Sequence, residues 1–176
     1  MSLWNTEDRF GLVTRVLHWV MALGVIGMLG FGTYIANMTV NMSNFHLYAW
    51  HKSIGLTLLL LALVRIVWHL GSRVPKSLPA PKWQEALARV VHFGLFLLLL
   101  AVPLTGWIAS AATGIDVVFW GVTLPSIAPA SEAWEDAFFA AHGVLTKLLL
   151  AAIVLHIAGA VKRRDGTLRR MVRGQA

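Results

Sequence analysis

Residues 138–161 read FFAAHGVLTKLLLAAIVLHIAGAV, an almost wholly apolar stretch carrying two histidines, His142 and His156, fourteen residues apart. On an α-helix fourteen residues turn through about 1400°, which leaves the two side chains only ~40° apart around the axis, and rise about 21 Å along it. Both imidazoles therefore look out from one face at two depths. A run of this length and apolarity spans a bilayer, where a polar imidazole is expensive and turns to the bundle interior and a partner. The pair predicts two stacked sites.

Working outward, the 176-residue chain is 57% hydrophobic and only 13% charged, with mean hydropathy +0.69, which excludes a water-soluble globule with a charged skin. Four apolar runs, at about 16–36, 47–70, 88–112 and 138–161, account for most of the length, so one integral-membrane domain over residues 1–176 is expected. Acidic residues precede the first run and no small-residue cleavage site follows it, so that span is expected to be retained. The chain has no cysteine, which removes disulfides, thiolate metal sites, iron–sulfur clusters and c-type haem attachment. Any metal must then sit on histidine, of which there are seven, most of them in or beside the apolar runs.

The net charge of +7 and pI of about 10.6 would suit a nucleic-acid binder, but the basic residues fall at the ends of spans rather than on one soluble face. Nucleic acid is therefore not an expected partner; the lipid bilayer is. Thirteen of the fifteen Lys and Arg residues lie before span one, in the stretch from Arg65 to Arg89 that ends span two and begins span three, or after span four. Only Lys52 and Lys147 lie toward the other side, so the positive-inside rule puts both termini in the cytoplasm. The result is an all-α, transmembrane, up-down-up-down four-helix bundle with short connections. Pro103 and Gly106 should kink the third span. The one long connection, Thr113 to Ala137, reads either as an amphipathic cap at the outer interface or as an ordinary surface loop.

With directions assigned, His18, His92 and His156 fall toward the cytoplasmic side and His51 and His142 toward the outer side, while His46 and His69 lie at or beyond the edges. Each level thus holds at least two histidines. Axial ligation of a haem needs an imidazole on either side of the iron, from two facing helices, and haem supplies the bulk to fill the cavity between them. A zinc or copper site would want three or four ligands at one level. Interhelical hydrogen bonding alone accounts for one intramembrane histidine more easily than for four at matched depths. Two ligands per level favours two haems.

The motifs that carry a family likeness are RVLHW at 15–19, WHKSIG at 50–55, PLTG at 103–106, FWGVTLP at 119–125 and the H-x13-H of His142 and His156. In this order, over nearly the whole chain, the sequence resembles the bacterial cytochrome b561 group, related to the cytochrome b subunits of nickel–iron hydrogenases and formate dehydrogenases. The resemblance implies two haems b per chain, with His18 and His156 as ligands of the cytoplasmic one and His51 and His142 as ligands of the outer one. His92 matches a position the family often fills with histidine; it competes with His18 as ligand, bonds a haem propionate, lines a quinone pocket, or forms an interhelical hydrogen bond. Arg15, Arg65, Arg89 and Lys52 are candidate partners of the propionates, topology and snorkelling being the plainer account of each.

Function follows as transmembrane electron transfer by a di-haem cytochrome b in the bacterial inner membrane. The resemblance implies quinone as one partner, with superoxide:ubiquinone oxidoreductase-like activity among its forms. The outer-side donor or acceptor is not specified by the residues. The alternative is a haem-bearing membrane anchor that takes electrons from a docked dehydrogenase or hydrogenase subunit. A histidine-based proton or metal transporter is a third class, which a colourless pure protein would favour.

Overall fold

The computed structural model describes residues 2–163 and 165–174. Five helices and one short hairpin follow in the order α1 (Leu12–Asn37), α2 (His46–Gly71), α3 (Lys82–Ala112), β1 (Val118–Phe119), β2 (Val122–Thr123), α4 (Glu132–Lys162) and α5 (Thr167–Arg173). The first four long helices are each apolar and long enough to cross a membrane. They form the expected up-down-up-down bundle, with α1 against α2, α2 against α3 and α3 against α4. All four run past the apolar stretches that announced them. At 31 residues, α3 and α4 are each about 46 Å long, which exceeds the ~30 Å hydrocarbon core and lets their ends stand in the interfaces. The ends of α4 suit their helix dipole, with Glu132 and Glu135 in the first turn and Lys162 in the last.

The bundle turns much of its apolar surface outward. Leu23 and Val67 are 69% and 70% exposed, an arrangement stable only where lipid covers it. The closest interhelical packing is between α3 and α4, whereas the backbone of α4 hardly approaches α1 or α2. Side chains must bridge that gap, and the histidines do so.

At the outer end the long connection is neither a continuous amphipathic cap nor an unstructured loop. Phe119 pairs with Val122 across the two-residue turn Trp120–Gly121. Both turn residues have positive φ, 47° and 91°, as the type I′ hairpin turn requires, and glycine supplies the second without steric cost. The hairpin is strapped to α2. Trp120 N–H donates to Ser53 Oγ at 3.2 Å, Ser53 Oγ donates to Val118 O at 3.3 Å, and Trp120 Nε1 donates to Thr57 Oγ1 at 3.0 Å. Leu56, Leu59, Ala111 and Val117 form a buried cluster beneath it.

At the opposite end, residues 2–11, the α2–α3 link and α5 close the bundle together. Trp4 stacks on Trp68 at 4.9 Å, and Asn5 Nδ2 donates to Arg73 O at 2.8 Å. Arg170, buried on α5, donates to Lys76 O at 2.9 Å and to Asp8 O at 2.5 Å, satisfying two carbonyls from different segments. Asp165 organises the turn before α5. Its carboxylate accepts from Thr167 N–H at 3.0 Å and Thr167 Oγ1 at 2.6 Å, and pairs with Arg163 at 2.5 Å.

Candidate functional site

Four histidines meet in two pairs across the gap around α4. The rings of His51 on α2 and His142 on α4 have centroids 6.4 Å apart with planes at 85°. Those of His18 on α1 and His156 on α4 are 6.1 Å apart with planes at 54°. His92 on α3 lies 5.1 Å from His156, so the inner level holds three imidazoles and the outer level two. His46 and His69 lie on exposed positions, against Trp50 and Phe96 respectively. Among the described residues no group of three or more His, Cys, Asp and Glu side chains is arranged to hold a metal ion.

Two imidazoles on opposite sides of one metal ion place nitrogen atoms about 2 Å from it, and the rings add about 1 Å on each side, so centroids about 6 Å apart are required. Both facing pairs meet that requirement, whereas His92 and His156 are too close. The donor set therefore fits a metal held by one imidazole on each side, as in a bis-histidine haem.

The outer pair is prepared in further detail. His142 Nδ1 lies 2.9 Å from the carbonyl of Val102. A carbonyl only accepts, so Nδ1 carries the proton and the lone pair is on Nε2, the tautomer a metal ligand needs. His51 Nδ1 is buried with no protein partner. Two glycines make room for these rings: a Cβ at Gly32 would stand 3.1 Å from His51 Cε1, and one at Gly106 would stand 3.0 Å from His142 Cε1. A side chain at either position would push into the imidazole it faces.

Those glycines complete a pattern that sequence reading had taken from α4 alone. Residues fourteen apart pair the two levels on every long helix: His18 with Gly32, His51 with Arg65, His92 with Gly106, and His142 with His156. The outer level is thus Gly32, His51, Gly106 and His142; the inner level is His18, Arg65, His92 and His156. The fourteen-residue repeat was available in the sequence, but glycines leave no polar signature to prompt a search for it.

The remaining charged candidates fall in different places. Arg65, half-buried on α2, has a guanidinium nitrogen 3.1 Å from His18 Nδ1 and lies 5.8 Å over the Phe96 ring. Arg15 is engaged with α5, where its Nε donates to Met171 O at 3.3 Å and its terminal nitrogen donates to Val172 O. Trp19 Nε1 joins it on Met171 O at 3.2 Å. Lys52 is half-buried beside His51 on α2, and Arg89 is exposed on α3.

Comparison with known proteins gives a family and two relatives. The family described as "Prokaryotic cytochrome b561" matches residues 9–174. The chain is 31% identical to "Cytochrome b561 homolog 2" of Escherichia coli (strain K12), over 98% of this chain and 95% of that protein. It is 27% identical to "Probable superoxide oxidase CybB" of Yersinia pestis, over 89% of this chain and 91% of that protein.

Proposed function

This chain belongs to the prokaryotic cytochrome b561 family, and from that premise we propose that it is a di-haem cytochrome b that carries electrons across the bacterial inner membrane and exchanges them with membrane quinone. Membrane electron transfer by a haem-b protein is what the family does; the number of haems, their ligands and the partners are the proposal. The observation that carries it is the pair of facing imidazoles at two depths on α4, with centroids 6.1 and 6.4 Å apart.

In this reading His18 and His156 hold the inner haem, and His51 and His142 hold the outer one. Haem supplies one-electron redox chemistry when bound. The protein does the rest. Val102 O fixes the tautomer of His142, Gly32 and Gly106 leave space beside the outer ligands, and the hairpin strapped to Ser53 and Thr57 covers the outer end of α2 close to His51. His92, set against His156, borders the inner site without sharing its metal, a position suited to a bound quinone or a propionate.

Superoxide is the outer donor this reading favours, on the strength of the Yersinia relative's name. The outer carboxylates Asp116, Glu132, Glu135 and Asp136 outnumber Lys52 and Lys147, so attraction of an anion must be local, around Lys52 beside His51. The bias of cationic residues supports both termini lying in the cytoplasm. As the chain has no cysteine, single cysteines at Ser77 and Ser126 report sidedness directly; labelling of Ser77→Cys from outside would reverse it. The decisive experiment is the optical spectrum and haem content of the purified protein. Two low-spin b haems per chain are expected, and saturation at one or none rejects the two-level reading.

A further inference from the structure

The two levels differ in one respect that bears on the direction of electron flow. At the outer level the residues flanking the two histidines are Gly32 and Gly106, which bring neither charge nor polarity. At the inner level the matching positions on α2 and α3 hold Arg65 and His92. Arg65 places its guanidinium 3.1 Å from His18 Nδ1, inside the span, where arginine remains charged and the low dielectric strengthens its field. No outer counterpart exists among the hydrogen bonds and ion pairs of the described residues: His142 Nδ1 bonds a neutral carbonyl and His51 Nδ1 bonds nothing.

From this we propose that Arg65 holds the inner redox centre at a higher reduction potential than the outer one, so that electrons run from the outer face inward. The inference rests on the two-haem reading above. A fixed cation beside a centre favours the state with one more electron, which raises the potential of that centre. At the outer level the one nearby cation is Lys52, next to His51 on α2, which makes no hydrogen bond or ion pair with either histidine among the described residues, and the carboxylates of the outer connection act on the outer centre in the opposite sense to a cation. In the transfer itself one electron leaves the outer centre, which is oxidised, and reaches the inner centre, which is reduced; no bond forms or breaks. An outer one-electron donor supplies it and membrane quinone takes it up.

The contact with His18 also constrains how the inner site fills. Arg65 has donors only, so in the present arrangement His18 Nδ1 accepts and the ring proton lies on Nε2. Holding a metal through Nε2 as a neutral imidazole would put that proton on Nδ1, and the Arg65 contact with His18 would then be released. Arg65 acts through its charge, which its place on α2, fourteen residues from His51, keeps at the inner level in either arrangement.

The test is redox potentiometry of the purified holoprotein, followed optically, in wild type and in Arg65→Met, Arg65→Lys and Lys76→Gln forms. The His142→Ala form, which retains only the inner centre, assigns the two waves. The wild-type inner centre is expected at the higher potential. Arg65→Met should lower it by at least 59 mV, a tenfold change in a one-electron equilibrium. Arg65→Lys should recover part of that loss, and Lys76→Gln, at an exposed inner-side cation, should leave both waves in place. An inner centre at or below the outer one, or an Arg65→Met wave that is unmoved or raised, overturns the inference. A protein with fewer than two haems fails the two-haem reading instead.

Discussion

His142 on α4 donates its Nδ1 proton to the carbonyl of Val102 on α3 across 2.9 Å, one residue before Pro103. The same carbonyl accepts the Thr105 hydroxyl at 2.9 Å, so it serves two donors besides any backbone partner. Proline at 103 has no N–H to return to the carbonyl of Leu99, which loosens the helix here. Gly106, one turn on, then leaves the imidazole room to lie against the backbone. The PLTG motif is thus a seat for one histidine: it sets the approach of α3, the tautomer of the ring and the space around it.

The seat makes a graded prediction. Gly106→Ala puts a Cβ 3.0 Å from Cε1 and 3.1 Å from Nδ1 of His142, so the ring must shift by some tenths of an ångström and its bond to Val102 must stretch. Loss of a substantial part of the outer haem is expected, with the inner one retained. Gly32→Ala, 3.1 Å from His51 Cε1, should do the same more mildly. Gly30→Ala meets nothing within 4 Å and should be neutral, or stabilising by up to about 1 kcal/mol through helix propensity. Haem content per chain decides the matter; a Gly106→Ala protein with two haems at unchanged potentials would show the seat to be irrelevant.

Arg15 separates a structural role from a cofactor role. Its guanidinium spans the last carbonyls of α5, where a cation opposes the negative end of the helix dipole. Arg15→Gln should release α5, at a cost of about 2 kcal/mol of local stability, read as faster amide exchange over residues 167–173. Both haem potentials should stay where they are. A drop in the inner potential alone would instead assign Arg15 to a propionate.

A second handle on α5 is pH. Partial burial alone would raise the Asp165 carboxyl, but the hydrogen bonds from Thr167 and Arg163 outweigh it and hold the group at about 2, below its ordinary 3.8. A carboxyl depressed in the folded state contributes stability that is fully present above the ordinary value and is lost as pH falls through the folded one. The turn before α5 should therefore loosen between about pH 4 and pH 2, with amide exchange at Thr167 as the reporter. Asp165→Asn should show the loosened state already at pH 7 and no transition in that window.

Much of this architecture was legible before any coordinates. The spans followed from apolar length and the two levels from His142 and His156, because each is written in residue types whose membrane cost is large. Less was legible where the signal is small or supplied by distant partners. The helix over Thr167–Arg173 is seven residues long and stands on Arg15, Asp165 and Arg170, contacts that no local pattern announces. The hairpin at Trp120–Gly121 is two residues per strand, too short for alternation, and is held by Ser53 and Thr57 from another helix. Depth put Arg15 near the inner level, but depth alone does not report that its side chain turns to the carbonyls of α5.

The strictest test of the two-level arrangement is the pairing of ligands. His51 and His142 come from α2 and α4 and face each other with rings 6.4 Å apart; His18 and His156, from α1 and α4, face each other at 6.1 Å. A haem held by two imidazoles loses low-spin character or leaves when either is removed. His51→Ala and His142→Ala should therefore abolish the same spectral component, and His18→Ala and His156→Ala the other. Because His142 and His156 lie about 21 Å apart along the axis of α4, loss of one site should not carry the second with it. His92 provides the internal check. Its ring stands 5.1 Å from that of His156, too close to share a metal across it, so His92→Ala should keep both haems and alter only the inner band position or potential. Loss of the inner haem from His92→Ala but not from His18→Ala would exchange the two residues' roles and require α3, rather than α1, to face α4 across the inner site.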